Sequence, residues 1–497
     1  MSIAGPIDQR PESSEPAARP GRRGPLSRRA VLGAAAAGGV GIAALRVLAY
    51  PEIEQLVRRT RATAAGGRGD WVSPLASERA RVAHLLRRTT FGATLDELDR
   101  AASDGFARTV DRLLETKPAP PPPLPTSAGD PRLNVAQLQQ WWLDHMLSTP
   151  TPFAERLTLF WHGHFTSDFR KVGLRTPFIH WQNLTWRDMA LTDLRSMLMR
   201  VTTDPAMLRY LDLSTSTGQA PNENYARELM ELFTMGVGHY GEDDVRAAAR
   251  ALAGWTEPRP SSAAEVTVAA GVTRRYAVYD APATGVFVPA RSYRGGALTF
   301  LGRTDRYDTG KVIDRILAQD ATAEFIARRV TAHFVGPAAD DAYVKRVAAG
   351  FRSSRYDVRT LLRAVFTSPE FTADASYRAL VKSPTEFMVH VLKALDGRQL
   401  SRLAVQSAPG LGQVLFDPPD VGGWPNNEAW ISSNAVVARV NFVTAALGQL
   451  RRLPAGAQAP DHVDSVLGPQ TAALLNAAAD DRARWLLALA SPEFQLK

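Results

Sequence analysis

Acidic side chains with helical spacing lie between Pro221 and Gly236, in the sequence PNENYARELMELFTMG. Asn224, Glu228 and Glu231 are spaced i, i+4 and i+7, which places them on one face of a helix. Leucine, methionine and phenylalanine at neighbouring positions supply an apolar surface for packing. Carboxylates beside a core-packing face indicate either a buried polar network or a reactive site.

This helix has recognisable ends and a cation near its centre. Asn222 is a predicted N-cap, and Gly236 or Gly238 can close the last turn in the left-handed conformation. Arg227 is four residues from both Glu223 and Glu231, so its guanidinium can pair with either carboxylate.

A second group of chemically capable side chains lies in residues 152–165, PFAERLTLFWHGHF. His162 and His164 flank Gly163, which favours the end of a helix at this point. Side chains two residues apart point about 200° apart on a helix, but to the same side of an extended segment. The two histidines can therefore share one ligand only if the helix ends before them.

Together the two stretches predict a divalent metal site suited to zinc, iron or manganese. Its ligands would be imidazole and carboxylate groups: His162, His164, Glu228 and Glu231, with His239 or Asp168 as a further ligand. A metal would lower the pKa of a bound water for hydrolysis. Glu228 and Glu231 would then be ligands or acid–base groups, and Arg156 and Arg227 would orient them. In the plainer interpretation, the histidines bond backbone carbonyls and the glutamates pair with these arginines.

Two other interpretations remain open. In the first, a carboxylate pair hydrolyses a glycosidic bond, with one acid as proton donor and the other as base or nucleophile. The candidate acids are Glu223, Glu228, Glu231, Asp417 and Asp420, and the candidate sugar-stacking rings are Trp161, Trp424 and Trp430. In the second, the polar side chains fix the packing of a scaffold that catalyses nothing.

Composition excludes several function classes. The chain has no cysteine, which rules out disulfides, thiol catalysis, zinc–thiolate sites and iron–sulfur clusters. Its net charge of +9 is spread without a basic block, which argues against nucleic-acid binding. The sequence contains no Gly-x-Ser-x-Gly nucleophile motif and no Walker-type phosphate loop.

The first 49 residues predict export. Residues 1–24 are rich in proline, arginine, serine and glutamate, a composition typical of disorder. Arg28 and Arg29 precede a mildly apolar run that ends near Leu45, which is the pattern of a twin-arginine signal. The run is short for a membrane-spanning helix. A cleavage site is predicted at 47–49, and an uncleaved anchor is the alternative.

The remaining chain predicts a mainly α fold: a linker over 50–76 and one large multi-helical domain over 77–495. Apolar periodicity predicts helices at 134–148, 176–200, 309–319, 322–335, 340–352, 356–366, 384–395, 427–449, 472–478 and 480–490. Short β-branched and aromatic runs predict a small antiparallel β insertion over 264–300. Residues 416–425, FDPPDVGGWP, predict a rigid, turn-rich loop.

Seven ordered motifs resemble the domain of unknown function DUF1800. They are the stretches 86–92, 156–165, 222–236, 254–255, 299–302, 382–384 and 415–424, which span most of the chain after the signal. The usual pattern has a larger polar residue where Gly163 stands. The resemblance implies a mostly helical, commonly exported bacterial protein and a partnership with DUF1501 proteins, but it supplies no reaction and no catalytic residues.

The function expected from the sequence is a metal-assisted hydrolase or related enzyme at the cell envelope. The alternatives are a glycoside hydrolase and a non-catalytic envelope protein that acts with a DUF1501-type partner or a cell-envelope polymer. The pattern indicates no substrate, and no cofactor other than a divalent metal.

Overall fold

A computed structural model describes residues 73–124, 133–258, 266–269, 272–274, 282–455, 458–459 and 468–497. The predicted signal over 1–49 lies outside the described residues, as does the linker over 50–76 except for its last residues. Export and signal cleavage therefore stay predictions.

The described residues are mainly α-helical, as the apolar periodicity predicts. In chain order the helices are α1 (Glu78–Thr89), α2 (Leu95–Asp104), α3 (Phe106–Glu115), α4 (Val135–Ser148), α5 (Pro152–His164), α6 (Phe169–Val172), α7 (Phe178–Met189), α8 (Leu194–Thr203), α9 (Pro205–Tyr210), α10 (Asn224–Glu231), α11 (Glu242–Leu252), α12 (Thr309–Leu317), α13 (Asp320–Phe334), α14 (Asp341–Ser353), α15 (Val358–Phe366), α16 (Pro384–Ala394), α17 (Ser401–Leu411), α18 (Ser433–Gln449), α19 (Pro469–Asn476), α20 (Asp481–Ala490) and α21 (Pro492–Gln495).

Three short antiparallel strand pairs accompany these helices. Their strands are β1 (Trp255–Thr256), β2 (Val266–Ala269), β3 (Val272–Arg274), β4 (Val286–Phe287), β5 (Leu298–Phe300) and β6 (Arg303–Asp305). The pairs are β1 with β4, β2 with β3, and β5 with β6. The predicted β insertion is therefore present, but it borrows β1 from before its predicted start and continues past its predicted end.

Several helices begin at other residues than predicted, because a capping residue sets the start of each helix. The single helix predicted over 176–200 is two helices, because the Asp193 side chain accepts from the backbone N–H of Ser196 at 2.8 Å and starts α8 afresh. The helix predicted over 427–449 begins only at Ser433, where Ser432 is the N-cap. A short 3₁₀ turn occupies Asn427–Trp430 instead.

Helix α10 is also shorter than predicted. It begins at Asn224, and Asn222 caps a turn ahead of it by accepting from the Asn224 backbone N–H at 2.9 Å. It ends at Glu231 rather than at Gly236, although Gly236 does adopt the left-handed conformation with φ of 83°.

Helix α5 lies within the main hydrophobic core and positions the charged residues described below. It packs against α7 and α1, and its buried Phe153 contacts Phe334 at the end of α13. Its apolar residues belong to one continuous core that extends from α1 to the residues after α21. A small separate cluster joins α1 to α2. Within the described ranges, no helix is both long enough and apolar enough to cross a membrane.

Candidate functional site

Helix α5 carries two neighbouring charged side chains into different surroundings. Glu155 and Arg156 are both fully buried, and consecutive residues of a helix point about 100° apart. Each side chain therefore meets a different set of helices. The two resulting networks are centred on Glu155 and on Glu386.

Protein groups occupy both carboxylate oxygens of Glu155, although Nη1 of Arg187 has no hydrogen-bond partner among the described residues. Arg187 donates to both carboxylate oxygens, from Nε at 2.5 Å and from Nη2 at 2.9 Å. Trp142 Nε1 donates to Oε2 at 2.8 Å, and His145 Nε2 lies 3.2 Å from Oε1. Burial alone would raise the pKa of Glu155, but the charge of Arg187 and these hydrogen bonds lower it to about 2.

The Glu386 network joins α5, α13 and α16 to the end of the chain. Oε1 of Glu386 pairs with both Arg156 and Lys497. Its Oε2 accepts from the backbone N–H of Ser383 at 2.6 Å and completes a capping box at the start of α16. Arg156 also donates to Nε2 of His333 at 3.1 Å. One carboxylate thus serves two buried cations and a helix cap.

The charge states follow from burial and from these neighbours. Burial alone would raise the pKa of Glu386, but the charges of Arg156 and Lys497 outweigh it and hold the pKa below its usual range. Burial, with Lys497 and Arg156 close by, lowers the pKa of His333 well below its ordinary value, so this imidazole is neutral and accepts from Arg156. Burial also lowers the pKa of Lys497 to about 7.

Further buried cations interact with the same carboxylate. Arg88 donates to the carbonyl of Ser376, and its Nε and Nη1 atoms have no hydrogen-bond partner among the described residues. Lys382 donates to the carbonyl of Phe494 at 2.5 Å, and Arg439 donates to the carbonyl of Lys382 at 2.7 Å. Arg88, Lys382 and Arg439 all feel the charge of Glu386. This region therefore holds more buried positive than negative side-chain charge.

A cavity of about 310 Å³ borders the Glu386 network; we call it the Glu386 cavity. Its titratable lining residues are Arg156, His164, Arg328, Arg329, His333, Glu386 and Lys497. Its aromatic lining residues are Phe160, Phe325, Trp424 and Trp430. The space is thus walled by rings and by several cations, with Glu386 as the single side-chain carboxylate among the residues that line it.

The turn-rich loop over 416–425 supplies one wall of the Glu386 cavity. Gly423 has a φ of 89°, and a β-carbon there would overlap the carbonyl oxygen of Gly163 on α5. The same contact seats Trp424 beside Gly163, where a β-carbon on Gly163 would lie 3.6 Å from the indole. The glycine at 423 therefore allows the tryptophan wall to lie directly against α5, whereas a β-carbon at 163 would make only an ordinary contact with the indole.

The two predicted histidine ligands do not face a common point. Helix α5 continues through Gly163 to His164, so the helical case holds and the two side chains diverge. His162 packs among the rings of Trp142, Phe416 and Trp424, and burial lowers its pKa to about 3.

His164 is held by protein groups at both ring nitrogens. Its Nε2 lies 3.1 Å from the carbonyl of Phe233, to which it donates, and its Nδ1 accepts from Arg329 Nε at 3.4 Å. This is the plainer interpretation of the sequence, in which a histidine bonds a backbone carbonyl.

The predicted acids on α10 lie apart from the Glu386 cavity. Glu231 accepts from the hydroxyl of Tyr240 at 2.5 Å, and burial and the charge of Glu231 raise the pKa of half-buried Glu228. Arg227 pairs with Glu223 at 3.5 Å as predicted, but its second partner is Glu242 at 2.7 Å rather than Glu231.

The predicted metal site is therefore not assembled from these side chains. In the part of the chain that the structure describes, no group of three or more histidine, aspartate or glutamate residues is placed to hold a metal ion. His239 is exposed, and Asp168 accepts from the backbone N–H of Lys171 at 2.8 Å as an N-cap of α6. Of the predicted site residues, Arg156 and His164 line the cavity.

Two of the predicted sugar-stacking rings line the Glu386 cavity, but the predicted acids of the carbohydrate interpretation do not. Trp424 and Trp430 do line the cavity, but Trp161 is buried and donates to the carbonyl of Ala190 at 3.0 Å. Asp417 pairs with Arg170 at 2.5 Å, and Asp420 accepts from the backbone N–H of Gly422 at 2.8 Å. None of the five candidate acids lines the Glu386 cavity.

Sequence reasoning missed the residues at the centre of this site. Glu386, Lys497 and the pair Arg329 and His333 come from three segments far apart in the chain, so no local spacing links the three. One signal was available: Ser383 followed three residues later by Glu386 is a capping box, and 382–384 is one of the motifs quoted above. The stretch 236–241 (GVGHYG) has the Gly-x-Gly-x-x-Gly spacing of dinucleotide motifs, but it follows helix α10 instead of a strand and so gives no support for nucleotide binding.

Fold and site together define a mainly helical protein with two buried ion networks, one of which borders a ring-walled, cationic cavity. The chain belongs to the DUF1800 family, described as a protein of unknown function, whose family model matches residues 84–496. This confirms the resemblance seen in the motifs. No curated protein and no solved structure matches the chain.

Proposed function

We propose that this protein binds an anionic organic ligand in the Glu386 cavity and does so at the cell envelope. The observation that carries the proposal is the charge of the lining. Arg156, Lys497 and Arg329 border the cavity, and Glu386 is the carboxylate lining it. A bound anion would supply the negative charge that these cations lack.

The physical argument concerns the cost of burying charge. An ionised side chain removed from water is stable only when it is paired and hydrogen-bonded. Glu386 must offset both Arg156 and Lys497 through the same oxygen. Guanidinium and ammonium groups recognise carboxylate and phosphate, which would relieve this shortage of negative charge.

The aromatic walls support an organic ligand rather than a bare ion. Phe160, Phe325, Trp424 and Trp430 line the same space. Apolar and aromatic walls with a few convergent polar groups are typical of small-molecule sites. Since the predicted metal ligands do not converge, the metal-assisted hydrolase is not the function that this geometry favours.

The binding proposal is tested by calorimetric titration of the full chain with matched charged and neutral probes. Benzoate, phenyl phosphate and glucuronate are compared with benzyl alcohol and glucose. We expect at least one anion to bind at least tenfold more tightly than its neutral counterpart. Lys497→Met should weaken the binding of that anion. Arg195→Gln, which removes a surface cation paired with Asp314, should leave its affinity unchanged. Equal affinity for charged and neutral probes would overturn the proposal.

We also propose export by the twin-arginine route, on the pattern around Arg28 and Arg29. The test is a fusion of residues 1–49 to a reporter that is active only after export of a folded protein. Replacing both arginines with lysine should abolish export, and continued export would contradict the proposal.

The partnership with a DUF1501-type protein is proposed from the resemblance and is tested by co-purification of the two co-expressed chains.

A further inference from the structure

We infer that the ligand of the Glu386 cavity carries two anionic groups, held at opposite ends of one turn of α13. This inference rests on the proposed function and narrows its ligand class. The inner end of the cavity holds Arg156 and Lys497 beside Glu386. The outer end holds Arg329.

Helix α13 sets the distance between the two ends. Arg329 and His333 are i and i+4 on this helix, so they share a face and are separated by about one 5.4 Å turn. His333 marks the inner end, because it accepts from Arg156 at 3.1 Å. Arg329 marks the outer end, where its Nε meets His164 at 3.4 Å and its guanidinium lies 5.8 Å from the ring centre of Phe325.

Arg329 lacks the kind of partner that its neighbour has. Arg328 pairs with Asp341 at 2.7 Å in an exposed ion pair. Among the described residues, the polar contact of the Arg329 guanidinium is the neutral His164 ring, and no carboxylate lies within ion-pair distance. Arg329 is nevertheless half-buried, and burial lowers its pKa. A second anionic group on the ligand would give this guanidinium its counter-charge.

The walls between the two ends are largely aromatic. Phe160 lies between the two ends, since its ring centre is 5.0 Å from that of His333 and 6.3 Å from that of His164. Phe325 lies near the outer end, beside Arg329. Trp424 lines the same cavity from the loop over 416–425. The ligand class is therefore a ring or short chain with two carboxylates, or one carboxylate and one phosphate, about one helical turn apart.

The test compares terephthalate, which has a carboxylate at each end of a benzene ring, with benzoate, which has one. Both are titrated into the full chain by calorimetry. We expect terephthalate to bind at least tenfold more tightly than benzoate. Arg329→Gln should remove this preference while leaving benzoate affinity within about twofold of wild type, because benzoate uses the inner end. Arg329→Lys should retain part of the preference.

Arg195→Gln is the control, since it removes a charge of the same size from a surface pair with Asp314, at a residue that does not line the cavity. It should keep most of the terephthalate preference. Equal loss in the Arg195 and Arg329 variants would show a general effect of net charge and would overturn the inference. Benzoate binding without a terephthalate preference would overturn the inference but support the proposed function. Circular dichroism confirms that each variant folds.

Discussion

The Glu155 and Glu386 networks are built from the same parts and end in different states. Each has a buried glutamate, an arginine and a histidine, and adjacent residues of α5 contribute Glu155 to one and Arg156 to the other. Around Glu155, protein donors occupy both oxygens. Around Glu386, positive side chains outnumber the carboxylate and a cavity adjoins them.

The comparison shows how a structural ion network can be told from a binding site. A buried pair that is saturated by protein donors has no capacity for a ligand and contributes to the uniqueness of packing. A network with surplus charge beside an open space retains that capacity. Burial and altered pKa values alone do not separate the two cases, since both glutamates have lowered pKa values.

The largest expected effect on stability comes from breaking the Glu155 network. Glu155→Ala leaves Arg187 buried without its carboxylate, which should lower the free energy of unfolding by about 3–5 kcal/mol. Urea denaturation measures this loss. Arg195→Gln, at an exposed pair with Asp314, is the control and should leave the midpoint nearly unchanged. A Glu155→Ala midpoint close to wild type would mean that the network contributes little to stability.

The second effect separates the two networks directly. Glu386→Gln should cost about 2–4 kcal/mol, because Arg156 and Lys497 lose their shared anion. Added benzoate can enter the cavity and should raise the melting temperature of this variant more than that of wild type. Glu155→Gln should show no greater gain than wild type. Equal rescue of both variants would remove the distinction between a sealed and an open network.

The third effect is a pH dependence of binding. Burial lowers the pKa of Lys497 to about 7, so its amine is charged below that pH and neutral above it. Benzoate stays ionised throughout, and its affinity should therefore rise by about tenfold as the pH falls from about 8.5 to about 6. Lys497→Met should flatten the profile. A benzoate affinity that rises with increasing pH would contradict the assigned role of Lys497.

In the Glu155 network, pH should change the stability of the protein rather than the binding of a ligand. The pKa of Glu155 is lowered to about 2 in the folded protein from its ordinary value of 4.5, so its contribution to stability is complete above that ordinary value. That contribution is lost as the pH falls from 4.5 towards 2. Acid unfolding of Glu155→Gln should consequently be shallower in this window than that of wild type, and an identical slope would argue against an ionised Glu155.

The smallest effect is expected outside both networks. Arg227 pairs with Glu223 and Glu242 on the surface of α10 and α11. Arg227→Ala should change the free energy of unfolding by at most about 1 kcal/mol and should leave benzoate affinity unchanged. A large loss of binding would move the site from the Glu386 cavity to α10, where sequence reasoning first placed it.

The helical fold was predictable because apolar periodicity is local. Helices such as α4 and α15 fall within a few residues of their predicted spans. Boundaries failed where a capping residue competed with that periodicity, as Asp193 does between α7 and α8. At α10, periodicity beyond Glu231 reflects a buried turn rather than more helix, since the backbone N–H groups of Met235 and Gly236 both bond the carbonyl of Met230.

The site was not predictable for a related reason. Spacing within one helix places Glu228 and Glu231 together, but it cannot show that Tyr240 is the partner of Glu231. Arg156 was selected from its segment, yet its partners Glu386 and His333 lie more than 170 residues away along the chain. Long-range packing decides which charged residues meet, and one sequence carries no direct record of it.

The contact between Gly423 and the carbonyl of Gly163 has a further consequence. Main-chain atoms, rather than flexible side chains, set how closely the loop that carries Trp424 can approach helix α5. A change of side-chain rotamer therefore cannot let the loop close further onto the helix, and the cavity keeps at least its present width along this wall.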